Sequence, residues 1–122
     1  AARYADEWNG NFISAEGYRE RNRRLDALLD EIERPPDSVR RSVMLGTIFA
    51  RDDADLRRKL EARQMTAEQA MSAGHVVGTA EMWPEQLSSY AKAGAERIML
   101  QWLDLDDLEG LETIAREVLP AL

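Results

Sequence analysis

Cysteine is missing from all 122 residues. Its absence excludes disulfides, thiolate metal sites and cysteine nucleophiles, and it suits a reducing compartment. Histidine is nearly missing, since His75 stands alone. A general base needs a carboxylate held beside it, and the sequence positions none, so a catalytic histidine is not expected. No apolar run approaches the roughly 18 residues that cross a bilayer, and no charged-then-apolar leader precedes the first turn. The expectation is a cytoplasmic protein with no membrane partner. Positive charge is also in deficit, with 16 Lys and Arg against 23 Asp and Glu and a net charge of −7. That argues against a nucleic-acid role, because phosphate binding needs clustered cations that outweigh nearby acids. The one arginine group, Arg19, Arg21, Arg23 and Arg24, is interleaved with Glu16, Glu20 and Asp26 and reads as a solvated face.

What is present suits one domain or part of one, because 44% hydrophobic and 32% charged residues are ordinary for a globular chain of this length. The chain starts without methionine on Ala1-Ala2-Arg3-Tyr4-Ala5, which reads as the last turn of a helix and as a piece of a longer protein. Asp6 to Asn9 is a brief strand running into a turn rich in Asn and Gly. Ser14 caps a helix over most of Ala15 to Glu33, with Tyr18, Leu25, Leu28, Leu29 and Ile32 near one face, and Pro35-Pro36 ends it.

Val39 to Ala50 turns almost continuously apolar, as a strand buried on both faces does. Asp52, Asp53 and Asp55 suit the first turn of the next helix. Leu56 and Leu60 give that helix a narrow apolar stripe, and Arg57, Arg58, Lys59, Glu61 and Arg63 read as its solvated surface. Thr66 to Gln69 has capping-box spacing, Gly74 ends the short helix, and His75 to Thr79 is expected to be an apolar link. Pro84 either kinks a helix begun at Thr79 or opens its regular part.

Arg97 to Leu103 is the stretch around which the chain is organised. It is a short buried strand between a helix stopped by Gly94 and the acidic turn Asp104-Leu105-Asp106-Asp107. Asp106 or Asp107 caps a last helix whose Leu108, Leu111, Ala115, Val118 and Leu119 are expected on one face. Asp104, Asp106 and Asp107 are accounted for by capping and dipole compensation, so no metal site is predicted. Gly78-Thr79 lacks a glycine-rich phosphate fingerprint. Helix, strand, helix in this order predicts parallel strands covered by helices.

Three segments together carry a family likeness: Arg3-Tyr4-Ala5-Asp6-Glu7-Trp8-Asn9, Gly78-Thr79 with the helix ending at Ala93-Gly94-Ala95, and Arg97 through Leu108. In this order they resemble the C-terminal part of the luciferase-like monooxygenase family, particularly its branch using the deazaflavin coenzyme F(420). The resemblance implies an α/β fold, the C-terminal portion of a (β/α) TIM-type barrel. Residues 1–122 would form a single partial domain holding the last three strands, Asp6 to Asn9, Val39 to Ala50 and Arg97 to Leu103. It further implies an oxidoreductase that transfers hydride or activates oxygen through coenzyme F(420) or FMN, with a small-molecule substrate. The alternative is a non-catalytic scaffold or assembly module derived from such a barrel. Trp8, Asn9 and Gln101, at strand ends, would line the cofactor pocket, with Phe49 and Trp102 in its wall. Alternation places Met99, Gln101 and Leu103 on the barrel-facing side and Ile98, Leu100 and Trp102 toward the helices. Open strand edges and an uncovered apolar sheet face would favour self-association.

Overall fold

The computed structural model describes residues 1–122. Its elements alternate: β1 (Glu7–Asn11), α1 (Ala15–Asp30), β2 (Arg40–Phe49), α2 (Asp53–Ala62), α3 (Ala67–Ser72), β3 (His75–Gly78), α4 (Trp83–Lys92), β4 (Arg97–Gln101) and α5 (Leu108–Thr113). All three strand pairings are parallel and all involve β2. Glu7 to Asn11 faces Arg40 to Met44, His75 to Gly78 faces Gly46 to Phe49, and Arg97 to Gln101 faces Ser42 to Gly46.

Alternate residues of a strand turn their N–H and C=O groups to opposite edges, which fixes the order. The even-numbered Arg40, Met44, Gly46 and Ala50 bond to Asp6, Phe12, Gly74 and Gly78, whereas the odd-numbered Arg41 accepts from Glu96. β1 and β3 therefore lie end to end along one edge of β2, and β4 occupies the other.

β3 departs from the expected apolar link and makes a fourth strand where three were expected. Four residues are too few to show a period, but Val76 and Val77 are β-branched and buried on opposite faces, which favours extended backbone. Gly74 makes the turn into β3 possible. Its φ is +81°, and a Cβ there would come within 2.3 Å of the Ile13 backbone nitrogen.

Local signals otherwise act as sequence chemistry dictates. Ser14 accepts from Gly17 N, Asp52 from Asp55 N, and Thr66 with Gln69 forms a complete capping box. Pro84 sits in the first turn of α4, where its missing N–H costs no helical bond, after the short 3-10 turn Ala80–Met82. The Ala1–Ala5 segment closes one helix-like turn through Ala5 N and Ala1 O at 2.9 Å.

One face of the sheet carries the main core. Val43, Leu45, Phe49 and Val76 pack with Tyr18 of α1, with Trp83, Leu87 and Tyr90 of α4, and with Ile114 and Val118 beyond α5. Ile98, Leu100 and Trp102 join this layer, as alternation requires. A smaller cluster of Ile48, Val77 and Ala70, with Leu56, Leu60 and Met65, covers only the C-terminal end of the opposite face. The rest of that face exposes Glu7, Asn9, Asn11, Arg40, Arg97 and Met99, with the buried Ser42 and half-buried Met44 between them. The uncovered face is thus largely polar rather than apolar, because β1 contributes two asparagines and a glutamate to it.

The last helix buries Val118 as expected but otherwise turns a different side inward. Gly110, Ile114 and Val118 face inward, while Leu108, Leu111 and Leu119 are exposed. Close approach decides this, since a Cβ on Gly110 would sit 3.0 Å from Phe49 Cδ1. Ile114–Val118 then widens into a π turn, shifting the inward face further from ideal helical spacing.

Candidate functional site

Strand β2 ends at Phe49 and β4 at Gln101, and the cleft of interest lies at this C-terminal end of the sheet. It has a volume of about 160 Å³, and its wall includes Phe49, Gln101, Trp102, Lys59, Arg63 and His75. Thr47 Oγ1 donates to the Gln101 carbonyl at 2.9 Å, tying the strand ends together and leaving the half-buried Gln101 amide beside the cleft. Trp102 leaves the strand rather than continuing it to Leu103. Its ring packs 6.1 Å from Phe49, and its Nε1 donates to the Asp104 carbonyl at 2.7 Å.

The floor of the cleft depends on a glycine. Gly46 sits mid-strand, and a Cβ there would lie 2.5 Å from His75 Cδ2, so the imidazole rests directly on the β2 backbone. Phe12 closes one side, its ring centroid 6.0 Å from that of His75. Phe12 is also in the left-handed region at φ +45°, which is costly for a bulky residue and marks a strained rim. His75 Nδ1 is buried and has no hydrogen-bond partner in the protein.

Lys59 is the charge centre of the wall. Its Nζ donates to the Phe49 carbonyl at 2.8 Å and lies 3.7 Å from Asp55, 3.6 Å from Asp104 and 4.0 Å from Asp107. Asp107 caps α5 through Gly110 N and also meets Arg51, and Asp55 meets Arg58 and the Arg51 amide. Burial pushes the Asp55 carboxyl up, but the Arg51 amide bond and the charges of Lys59, Arg58 and Arg51 outweigh it and hold its pKa below the ordinary value. This network ties α2 to the turn after β4, so the cleft wall is held in place by charge as well as by packing.

Of the residues the sequence singled out, Gln101, Phe49 and Trp102 meet in this cleft. Trp8 and Asn9 do not. Trp8 stacks on Tyr18 at 5.1 Å on the helix-covered side, and the exposed Asn9 donates to Ser42 Oγ at 3.1 Å on the uncovered face. Lys59 and Arg63 read as surface in the sequence, although Leu56, Lys59 and Leu60 share the inward stripe of α2 and Arg63 follows at its C-terminal end.

No family model and no curated relative matches the sequence. Solved structures do match in shape. A coenzyme F(420)-dependent tetrahydromethanopterin reductase from Methanopyrus kandleri superposes with a TM-score of 0.72 at 13% identity, over 98% of this chain and 46% of that one. A long-chain alkane monooxygenase gives 0.70 at 12%, over 98% and 37%, and a riboflavin lyase with modified FMN and riboflavin gives 0.71 at 13%, over 98% and 38%. These neighbours are luciferase-like monooxygenase family members. The chain has the fold of part of these barrels. It spans less than half the length of each of these structures. In such parallel barrels, sites belong to the C-terminal strand ends, which is where Gln101 and its neighbours lie.

Proposed function

We propose that this chain is the C-terminal part of a flavin- or deazaflavin-dependent oxidoreductase of the luciferase-like family and supplies one wall of its cofactor pocket. The observation that carries the reading is the cleft at the C-terminal ends of β2 and β4, on a parallel sheet whose neighbours include an F(420)-dependent and an FMN-containing protein. The residues present fit part of the group. A volume of about 160 Å³ is smaller than the roughly 300–1,000 Å³ of complete small-molecule sites, as one wall should be. Gln101 offers amide donors and an acceptor for ring carbonyls and nitrogens, and the half-buried Trp102 presents apolar surface. When bound, coenzyme F(420) or FMN supplies the hydride or oxygen chemistry toward a small-molecule substrate.

The chain's own work is then positional. Gln101 orients the cofactor edge, Phe49 and Trp102 exclude water, and Lys59 holds the wall rigid through its carboxylates. Asn9, on the uncovered face, reaches a ligand from the barrel side, and Trp8 supports β1 through Tyr18. The protein works in the cytoplasm without nucleic acid or membrane. The outer edges of β1 and β4, which pair with no strand, promote self-association.

A non-catalytic scaffold is the second reading. The polar residues Glu7, Asn9, Asn11 and Arg40 on the uncovered face favour it, since that face tolerates water without a partner. Titration with FMN and with coenzyme F(420), followed by cofactor fluorescence, separates the two. The oxidoreductase reading expects saturable binding that weakens in Gln101→Ala with no change in melting temperature. A folded chain that binds neither cofactor supports the scaffold.

A further inference from the structure

The cleft is unusual on this acidic protein in the balance of charge that faces it. Lys59 and Arg63 border it, and Asp104 is the one carboxylate there. Asp104 is drawn to Lys59 at 3.6 Å. Arg63 is different: its Nη1 donates to the Lys59 carbonyl at 3.0 Å, and no carboxylate lies within ion-pair distance of it. A guanidinium has five N–H donors in a planar fork, so most of Arg63's remain uncommitted at the cleft mouth. His75 lines the same cleft, and its buried Nδ1 meets no protein group. Arg51, Arg41 and Arg97 are by contrast paired, with Asp107, Asp26 and Glu7 respectively.

We infer that the cleft is an oxyanion subsite, with Arg63 as its recognition residue. The inference rests on reading this cleft as the ligand-facing wall, and it names the chemistry that wall accepts: a carboxylate or phosphate group on a small molecule. The volume of about 160 Å³ holds such a group with part of its carrier. The planar fork of Arg63 suits two oxygens of one anion. Apolar surface from Trp102 lowers the local dielectric and strengthens the attraction, which the surrounding acidic surface otherwise opposes. A phosphate on the cofactor and a carboxylate on the substrate share this chemistry.

Two-dimensional NMR of the intact chain at low ionic strength tests it, with inorganic phosphate and acetate as separate probes. The expected result is saturable shifts at the Arg63 Nε–H, the Gln101 side-chain amide and the Gly46 and His75 amides. In Arg63→Gln, whose exposed position leaves the fold intact, affinity should fall about tenfold, the loss of one charge-assisted hydrogen-bonded anchor. Arg63→Lys should restore only part of it, because an ammonium lacks the fork. Phosphate binding without acetate binding assigns the subsite to a phosphate carrier, and the reverse to a carboxylate carrier. Shifts that stay linear, that spread over Arg19, Arg21, Arg23 and Arg24, or that persist in Arg63→Gln overturn the inference. Failure of FMN and coenzyme F(420) to bind, with phosphate or acetate still saturating the cleft, removes the oxidoreductase reading and leaves the oxyanion subsite standing.

Discussion

Replacing Lys59 by methionine keeps the length and most of the volume of the side chain and deletes only its charge. Lys59 is 16% exposed, and the two carboxylates it shares most closely with the interior, Asp55 and Asp107, are 8% and 9% exposed. Breaking a buried pair by removing one partner costs roughly 3–5 kcal/mol. Here Arg58 and Arg51 remain to hold those carboxylates, which reduces the loss, while the Phe49 carbonyl loses its charged donor. Asp104 is half exposed and adds little. The net expectation is about 2–3 kcal/mol, or a melting point lower by roughly 8–12 °C for a domain of this size. Thermal and urea unfolding of Lys59→Met and of the Lys59→Met/Asp107→Asn double variant measure it. The second change should cost less in the first background than alone, since the neutral asparagine removes the uncompensated charge. A Lys59→Met protein melting within about 2 °C of the parent would refute the view that this lysine holds the cleft wall together.

Three further outcomes follow from the geometry. Trp83 is fully buried, meets Phe49 edge-on and donates to the Gly78 carbonyl, so Trp83→Ala should cost about 3–5 kcal/mol, and the half-buried Trp102→Ala clearly less, by denaturant titration. Gly74→Ala should destabilise by more than about 1 kcal/mol and loosen β3, read as faster amide exchange at Val76 and Val77, because a positive φ and the Ile13 backbone both exclude a side chain. Asp55 has a lowered folded pKa, so its stabilising contribution is fully present above its ordinary 3.8 and is lost as pH falls through the folded value. Unfolding midpoints between neutrality and pH 2 should therefore fall less steeply in Asp55→Asn. Tyr18 and Tyr90 carry the opposite sign, since burial raises both, and their contribution fades only as pH rises above 10.

Much of the fold was legible because local chemistry and packing agreed. Ser14, Asp52, the Thr66–Gln69 box and Pro84 each mark a helix start with a group that satisfies, or does not need, a backbone N–H. The parallel pairing of β2 and β4 follows from the long helical connection between them. What escaped was set by tertiary contact. Four residues of β3 gain their meaning only beside Gly46, and Gly110 turns α5 by allowing Phe49 to approach. At the site, Gln101, Phe49 and Trp102 could be placed together from their positions at strand ends. Lys59 and Arg63 could not be told from surface without knowing that the strand-end carbonyl of Phe49 and the Asp104 turn lie opposite α2.

That β2 alone touches every other strand has a consequence for how the chain comes apart. The sheet is a hub with three spokes: β1, β3 and β4 bond to β2 and to no strand of their own. Detaching any one spoke leaves the other two ladders intact, whereas disordering β2 dissolves the whole sheet in a single event. Local openings should therefore strip strands individually, with β4 free to peel away while β1 and β3 hold their shared edge. The odd-numbered amides of Val43 and Leu45, which face β4, should therefore exchange ahead of the even-numbered amides of Met44 and Gly46 on the other edge.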